Sequence, residues 1–421
     1  MRNLEGKKLL VITGAAEEVA IVKAAKEMGL YVVCCDGHTD WKQSPAKAIA
    51  DEAWDINYKN TEEIVEKCRE IGIDGVIAGY SEFRVAAAAR IAKAIGTPFY
   101  ATEEQIDITR DKKLFKELCI KHNVPVPRDY SYVRGDALAR KDIKYPVIVK
   151  PTDRGGRKGI TICNNENELE PAIVFAVSES INGEVIIEEY IKGIELASVY
   201  TIAEGRVSLS CLNDKYVCDS DDMSMLCNLV ITPSKFYAEY VRTVDLGMRE
   251  LLTDIGIRNG VASVQCIANE SGVRVFEISL RLNGNNDYTI IRKNNDIDYM
   301  KMMIHYSITG SMGDDLDKDN PQFKKIYCTL VVHLKSGIIK EFEYSWLKDK
   351  EGIESVELLK VPGSKVIMNG TNSSKSMMIK MSGKTLQEII ELLNFTQENI
   401  DVYDADGNSM LISPFDARRL L

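Results

Sequence analysis

Lys150 closes an apolar run, YPVIVK, and is followed by Pro151. A lysine there projects from a strand end toward whatever the next loop holds. That loop is DRGGRKG, residues 153–159, with Gly155, Gly156 and Gly159 set among two arginines and a lysine. Glycines let backbone amides approach phosphate oxygens, and the basic side chains supply charge. A solvated hairpin tip fits the loop equally well. Lys112 opens a charged helical segment and reads either as a phosphate ligand or as an ordinary solvated lysine. Further on, Glu188-Glu189-Tyr190-Ile191 closes the strand EVII, with Gly193 and Glu195 following. Main-chain groups at such a strand end can pair with the edge of an adenine, and a nearby carboxylate can accept from ribose hydroxyls. The alternative is an exposed acidic strand end.

Gln265 and Glu277 lie in two adjacent strand-like segments, GVASVQCIA and VRVFEIS, joined by the turn residues 269–272. The two-residue period of a strand puts Glu277, Ser279 and Arg281 on one face. A carboxylate with oxygen-bearing neighbours suits Mg²⁺, which shares oxygen ligands with substrate phosphates. Arg281 can neutralise a phosphoryl group in transfer or fix a carboxylate. A polar, solvated sheet face also satisfies this pattern. Glu82, in GYSEFRVAAAA, follows a strand end, where ligands meet parallel sheets; it is also placed to favour a helix N-terminus. Lys215 and Arg292 are either acceptor-site residues or surface charge. None of the four histidines, His38, His122, His305 and His333, is assigned a role.

Elements to position these groups can be traced along the 421 residues, a length suited to two to four domains. Residues 8–13, 31–36 and 75–78 read as short buried strands separated by helices at 17–28, 62–71 and 81–95, which implies a parallel sheet covered on both faces. Gly14 follows the first strand, but GAAEEV lacks two of the three glycines of a dinucleotide fingerprint. Residues 109–123 read as one charged helix ended by VPVP. From about residue 130 the pattern becomes antiparallel sheet with helices to one side, including helices at 166–178, 233–255 and 296–309. DDLDKDN, residues 314–320, is a polar break suited to a linker. Small strands and a helix at 386–393 complete the chain.

A net charge of −10 argues against a dedicated nucleic-acid binder. No run approaches the roughly 18 apolar residues of a membrane span. The ten cysteines show no zinc spacing and read as reduced thiols in a cytoplasmic protein.

The order of the motifs (lysine, lysine with glycine loop, acidic hinge, then Gln/Glu/Ser/Arg) resembles the ATP-grasp family over roughly residues 1–310. The nearest branch holds biotin carboxylase, the carbamoyl-phosphate synthase large subunit and amino-acid ligases. The resemblance implies a mixed α/β and α+β fold. Its parts would be a Rossmann-like domain (1–108), an ATP-grasp domain (109–313, small lobe about 130–190, large lobe about 191–313) and a small C-terminal domain (321–421). It assigns Lys112 and Lys150 to the phosphates and Gly155, Gly156 and Gly159 to a loop over them. It assigns Glu188, Glu189, Tyr190 and Ile191 to adenine, Glu195 to ribose, and Gln265, Glu277 and Ser279 to Mg²⁺ or Mn²⁺. Arg281 would sit at the phosphoryl acceptor, with Glu82 beside the substrate.

Two positions depart from the family pattern: Gln265 where Glu or Asp is common, and Ser279 where Asn is common. Together they remove one negative charge from the metal site, which implies weaker Mg²⁺ binding. The implied activity is an ATP-dependent carboxylate–amine ligase acting on small molecules as a homodimer. Two alternatives stand beside it: a bicarbonate-using enzyme of carbamoyl-phosphate synthase or carboxylase type, and a non-catalytic ATP-binding regulator.

Overall fold

The computed structural model describes residues 4–130, 143–155, 158–218 and 226–421. The N-terminal part is a parallel sheet in the order Glu52–Trp54, Tyr31–Cys35, Lys8–Ile12, Gly75–Ala78. Its two central strands are almost wholly buried, because the helices Glu18–Glu27, Thr61–Ile71 and Glu82–Ile95 cover its faces. The chain leaves Lys8–Ile12 toward one side of the sheet and returns to its other side at Gly75–Ala78. The loops after these two strands therefore border the switch point, where open α/β sheets form a crevice.

The helix expected at 109–123 is two helices, Glu103–Arg110 and Lys112–Lys121. The break falls at Asp111, whose backbone is extended and whose side chain accepts from the Lys113 and Leu114 amides. An aspartate competes with helix continuation in this way. The result places Lys112 at the start of a helix.

Residues 147–189 contribute a three-stranded antiparallel sheet in the order Thr161–Cys163, Val147–Pro151, Val185–Glu189. The helix Glu166–Glu179 packs its apolar side, Leu169, Ile173 and Ala176, onto Val147, Val149 and Ile187. An eight-stranded antiparallel sheet forms the rest of the frame. Its order is Gly272–Ser279, Gly260–Asn269, Ile194–Ala203, Arg206–Val217, Cys227–Thr232, Ile326–His333, Lys375–Gly383, Ile353–Leu358.

This sheet runs straight across the polar break at 314–320, since Cys227–Thr232 pairs with Ile326–His333. The C-terminal hundred residues share a hydrophobic core, centred on Leu330, Met377, Ile379 and Leu393, with Tyr216, Leu229 and Ile231, and are hydrogen-bonded into the central sheet.

The segment expected as a single helix at 233–255 contains Tyr237–Tyr240, a π-helical turn Val241–Asp245, and Leu246–Asp254. The helix expected from 296 starts at Tyr299, capped by Asp298, and a separate helix Tyr288–Asn295 precedes it. The last helix extends over Leu386–Asn399. Among the described residues no helix is long and apolar enough to cross a membrane.

Candidate active site

Lys150 lies on the strand Val147–Pro151, and Glu188 lies on its neighbour with Ile148 opposite Glu188. Lys150 and Glu188 are thus diagonal neighbours on one face, and they form an ion pair. Lys116 pairs with the other oxygen of the same carboxylate. All three side chains are nearly inaccessible, with 7% exposure or less. Burial alone would raise the Glu188 pKa, but the two ammonium groups hold it below the usual carboxylate range. Two cations therefore meet at Glu188, and Lys116 also reaches the Asp129 carboxylate at 3.6 Å. Lys112, one helical turn before Lys116, adds a third. Its amide donates to the Thr152 carbonyl at 3.2 Å and its Nζ to the Arg154 carbonyl at 2.6 Å. Burial pushes the Lys112 pKa down, against an opposing pull from Glu277. The cluster gathers three ammonium groups in a low-dielectric setting, where lysines can turn toward the oxygens of a polyphosphate.

The glycine loop is fastened at its base. The Asp153 carboxylate accepts from the Ile181 and Asn182 amides and the Ser180 hydroxyl. Arg154 Nε donates to the Glu179 carbonyl at 2.5 Å. Gly159 has φ +72°, and a Cβ there would stand 2.7 Å from Pro151 Cγ, so only glycine fits. A Cβ on Gly155 would meet nothing within 4 Å. Gly156 lies outside the described residues.

At the expected adenine hinge, the Glu189 amide donates to the Arg128 carbonyl and the Tyr190 amide to the Pro146 carbonyl, each at 3.0 Å. The Ile191 amide has no recorded partner among the described residues. Glu195 sits directly opposite Lys215 across two strands, and they form an ion pair at 3.0 Å.

Gln265 and Glu277 are a cross-strand pair; Gln265 Nε2 donates to Glu277 Oε2 at 3.2 Å. This leaves the amide oxygen of Gln265 and an oxygen of Glu277 as donors to a cation. The Ser279 hydroxyl donates to Glu82 Oε1 at 2.8 Å. Arg281 Nε donates to the same oxygen at 2.7 Å. Glu82 is the first residue of its helix, at the edge of the switch-point crevice. Burial raises its pKa, and Arg281 with the two hydrogen bonds more than reverses this, so the carboxyl stays ionised. The Tyr100 hydroxyl donates to the Leu280 carbonyl at 2.8 Å and holds the strand end that carries Arg281.

Among the described residues no group of three or more His, Cys, Asp or Glu side chains gathers as a metal cage. The donor set, one carboxylate and one amide oxygen beside a phosphate-directed lysine cluster, fits Mg²⁺ held mainly by substrate phosphates.

The structure thus brings Lys112, Lys150, Glu188 and Glu277 into one electrostatic group and joins Glu82, Ser279 and Arg281 into another. Arg292 belongs to neither; its Nη1 donates to Asp298 at 3.0 Å. Sequence reasoning missed Lys116. The signal was available in the spacing of four between Lys112 and Lys116, which puts both on one helix face.

The family model described as the ATP-grasp domain matches residues 143–286, the stretch that holds Lys150, Glu188, Gln265, Glu277 and Arg281. Among curated proteins, the 2-oxoglutarate carboxylase small subunit of Hydrogenobacter thermophilus is 27% identical over 303 residues, covering 66% of this chain and 61% of that protein. The chain therefore spans about three fifths of that relative's length, and less of the others: 19% of the pyruvate carboxylase of Staphylococcus aureus. Among solved structures, the biotin carboxylase domain dimer of the H. thermophilus enzyme, in complex with MgADP, ADP and bicarbonate, superposes with a TM-score of 0.79 at 20% identity, covering 96% of this chain and 91% of that one. An L-amino acid ligase from Bacillus licheniformis superposes with a TM-score of 0.76 at 16% identity, covering 95% and 99%. At these identities the structures establish the fold.

Proposed function

We propose that this chain is an ADP-forming ligase that activates a small carboxylate with ATP and joins it to an amine. The observation that carries this reading is the pairing of two adjacent devices. One is a buried cluster of three lysines, Lys112, Lys116 and Lys150, gathered around Glu188 and beside Glu277. The other is an arginine–carboxylate pair, Arg281 with Glu82, with Arg281 two residues past the end of the strand that carries Glu277. The first suits a triphosphate; the second suits a carboxylate acceptor and a cationic partner.

In this reading Lys112 and Lys150 hold the phosphates, and the 153–159 loop covers them. The hinge at 188–191 takes the adenine, and Glu195 the ribose. Glu277 and Gln265 would hold Mg²⁺ with Ser279 nearby. Bound there, the ion offsets phosphate charge and fixes the orientation of the γ-phosphoryl group. The substrate carboxylate oxygen attacks the γ-phosphorus and ADP departs, leaving an acylphosphate. The amine nitrogen then attacks the acyl carbon, inorganic phosphate leaves, and the amine loses a proton. The protein supplies position and charge neutralisation, and no covalent intermediate on the enzyme is required. Arg281 neutralises charge at the acceptor, and the lysines at the donor.

Support for the reading comes from relatives of this class. A bicarbonate-using reaction is the second reading, favoured by the likeness to a carboxylase subunit and by Gln265 in the metal set. The test is ADP and phosphate release from Mg²⁺-ATP across amino acids and other amines, with and without bicarbonate. Release that depends on a carboxylate plus an amine supports the first reading, and release driven by bicarbonate supports the second. Absence of release under every condition refutes both. A homodimer is the expected assembly, checked by sedimentation of the full chain.

A further inference from the structure

Lys116 stands one helical turn past Lys112, yet its ammonium is engaged in a different way. An ammonium has three donors. That of Lys116 lies among three protein acceptors: a Glu188 oxygen, the Pro127 carbonyl at 3.2 Å and the Asp129 carboxylate at 3.6 Å. None of its donors is left for a phosphate. Among the described residues the Lys150 ammonium has one ion-pair partner, the other Glu188 oxygen, and lies 5.8 Å from the centre of the Phe276 ring. Lys112 Nζ likewise spends one donor, on the Arg154 carbonyl. Lys112 and Lys150 can therefore each turn two donors to a ligand, and Lys116 cannot.

The acceptors of Lys116 also join separate pieces of chain. Pro127 and Asp129 belong to the segment that follows the helix Lys112–Lys121, and Asp129 bridges to Glu188 in an added antiparallel pairing beside the strand Val185–Glu189. The Tyr130 amide donates to the Ile187 carbonyl at 3.0 Å in the same ladder. One ammonium thereby fixes the helix that carries Lys112 against the sheet that carries Lys150. It also meets the charge of a carboxylate that is only 3% exposed. Were Lys116 absent, Lys150 would be the only ion-pair partner of that carboxylate among the described residues. A buried carboxylate gives up its last counter-ion at a high free-energy cost.

We infer that Lys116 is a positioning residue for the binding of nucleotide phosphates: it satisfies Glu188, so that Lys150 can turn to a phosphate oxygen without leaving a buried carboxylate unpaired. This rests on the reading that places Lys112 and Lys150 at the phosphates of ATP. Lys116 acts through Glu188 and touches no substrate.

The test titrates the full chain, with Mg²⁺, against a non-hydrolysable ATP analogue and, in parallel, against adenosine, by calorimetry. Lys116→Met is expected to weaken binding of the analogue by about tenfold or more, the worth of a charge-assisted hydrogen bond, and to leave adenosine within about threefold of wild type. Glu188→Gln, which leaves two lysines without their anion, is expected to weaken the analogue as well. The variant carrying both changes has neither the buried carboxylate nor its partner, and its affinity for the analogue is expected to return to within about threefold of wild type. A lysine that touched phosphate itself, or only held the fold together, gives no such rescue. Should Lys116→Met fail to fold, the comparison of Glu188→Gln with the double variant decides the same question. The inference is overturned by wild-type affinity in Lys116→Met, by a loss for adenosine as large as for the analogue, or by a double variant no tighter than Glu188→Gln. Lys150→Met checks the reading beneath it. Equal binding of the analogue by wild type and Lys150→Met removes the phosphate assignment and the inference with it, whereas a loss in Lys150→Met with none in Lys116→Met removes the inference alone.

Discussion

Glu18 gives the sharpest test of how the switch-point crevice is built. It is the first residue of the helix Glu18–Glu27, is wholly buried, and has no hydrogen-bond partner on either oxygen. Thr13 Oγ1 is close by without reaching hydrogen-bond geometry. The nearest cation is Arg84, with Nη1 at 3.5 Å. Burial dominates over that attraction and lifts the Glu18 pKa from 4.5 to about 7. A raised carboxyl pKa means that the folded state holds the proton more tightly than the unfolded chain. Glu18 therefore costs nothing below about pH 4.5. Its cost grows as pH rises toward 7, and it is complete above that. At about 1.4 kcal/mol per pH unit, integrating between pH 5 and pH 8 gives about 2.5 kcal/mol. Glu18→Gln removes the charge and keeps the shape. Its own unsatisfied amide costs the same at both pH values, so it cancels in the comparison. Urea unfolding of both proteins at pH 5 and pH 8 is the assay. The variant is expected to gain about 2–3 kcal/mol relative to wild type between the two pH values. An equal difference at both would mean that Glu18 is ionised in the folded state across this range, and the desolvation argument would fail.

Glu188→Gln strips the shared anion from Lys116 and Lys150 and is expected to destabilise the chain by about 3–5 kcal/mol, read by denaturant unfolding, with nucleotide affinity also falling. Glu277→Ala is expected to reduce Mg²⁺-dependent ADP release by about 10²-fold or more, and unchanged turnover would remove Glu277 from the metal site. Ser279→Asn adds an amide oxygen next to Glu277 and is expected to lower the Mg²⁺ concentration needed for half-maximal release. Glu82→Gln weakens the partner of Arg281, so KM for the amine is expected to rise more than kcat falls; a loss confined to stability would make Glu82 a structural residue.

Legibility of the chain from its sequence followed the range of the forces involved. The parallel sheet was readable because YVVCC and KLLVI are short, fully apolar runs, and burial on both faces leaves that mark. Lys150 and the 153–159 loop were readable because their chemistry is local. The partners of Glu188 were not, because Lys116 comes from a helix some seventy residues earlier and only the fold brings it there. The break at Asp111 was hidden in the same way. Residues 109–123 have a helical pattern throughout, and the side-chain acceptor at Asp111 wins locally over it. The polar stretch 314–320 shows a further limit. A charged, polar stretch marks an exposed connection but carries no information about whether the strands on either side pair, and here they do.

The pairing of Arg281 with Glu82 bears on the reaction as much as on the fold. A guanidinium and a carboxylate 2.7 Å apart neutralise one another, so each binds a free ion less well than it would alone. A lone carboxylate arriving at Arg281 would draw the guanidinium away and leave half-buried Glu82 with the Ser279 hydroxyl alone, an unfavourable exchange. A lone amine arriving at Glu82 would strand Arg281 likewise. A carboxylate and an ammonium arriving together exchange one ion pair for two, and neither charge is left unpaired. In the proposed reading this favours occupancy by both substrates over occupancy by either, which is the order an acylphosphate needs if the amine is to capture it before water does. Glu82→Gln, by removing the charge that the amine would balance, is then expected to raise ATP hydrolysis uncoupled from product, measured as phosphate released per bond formed.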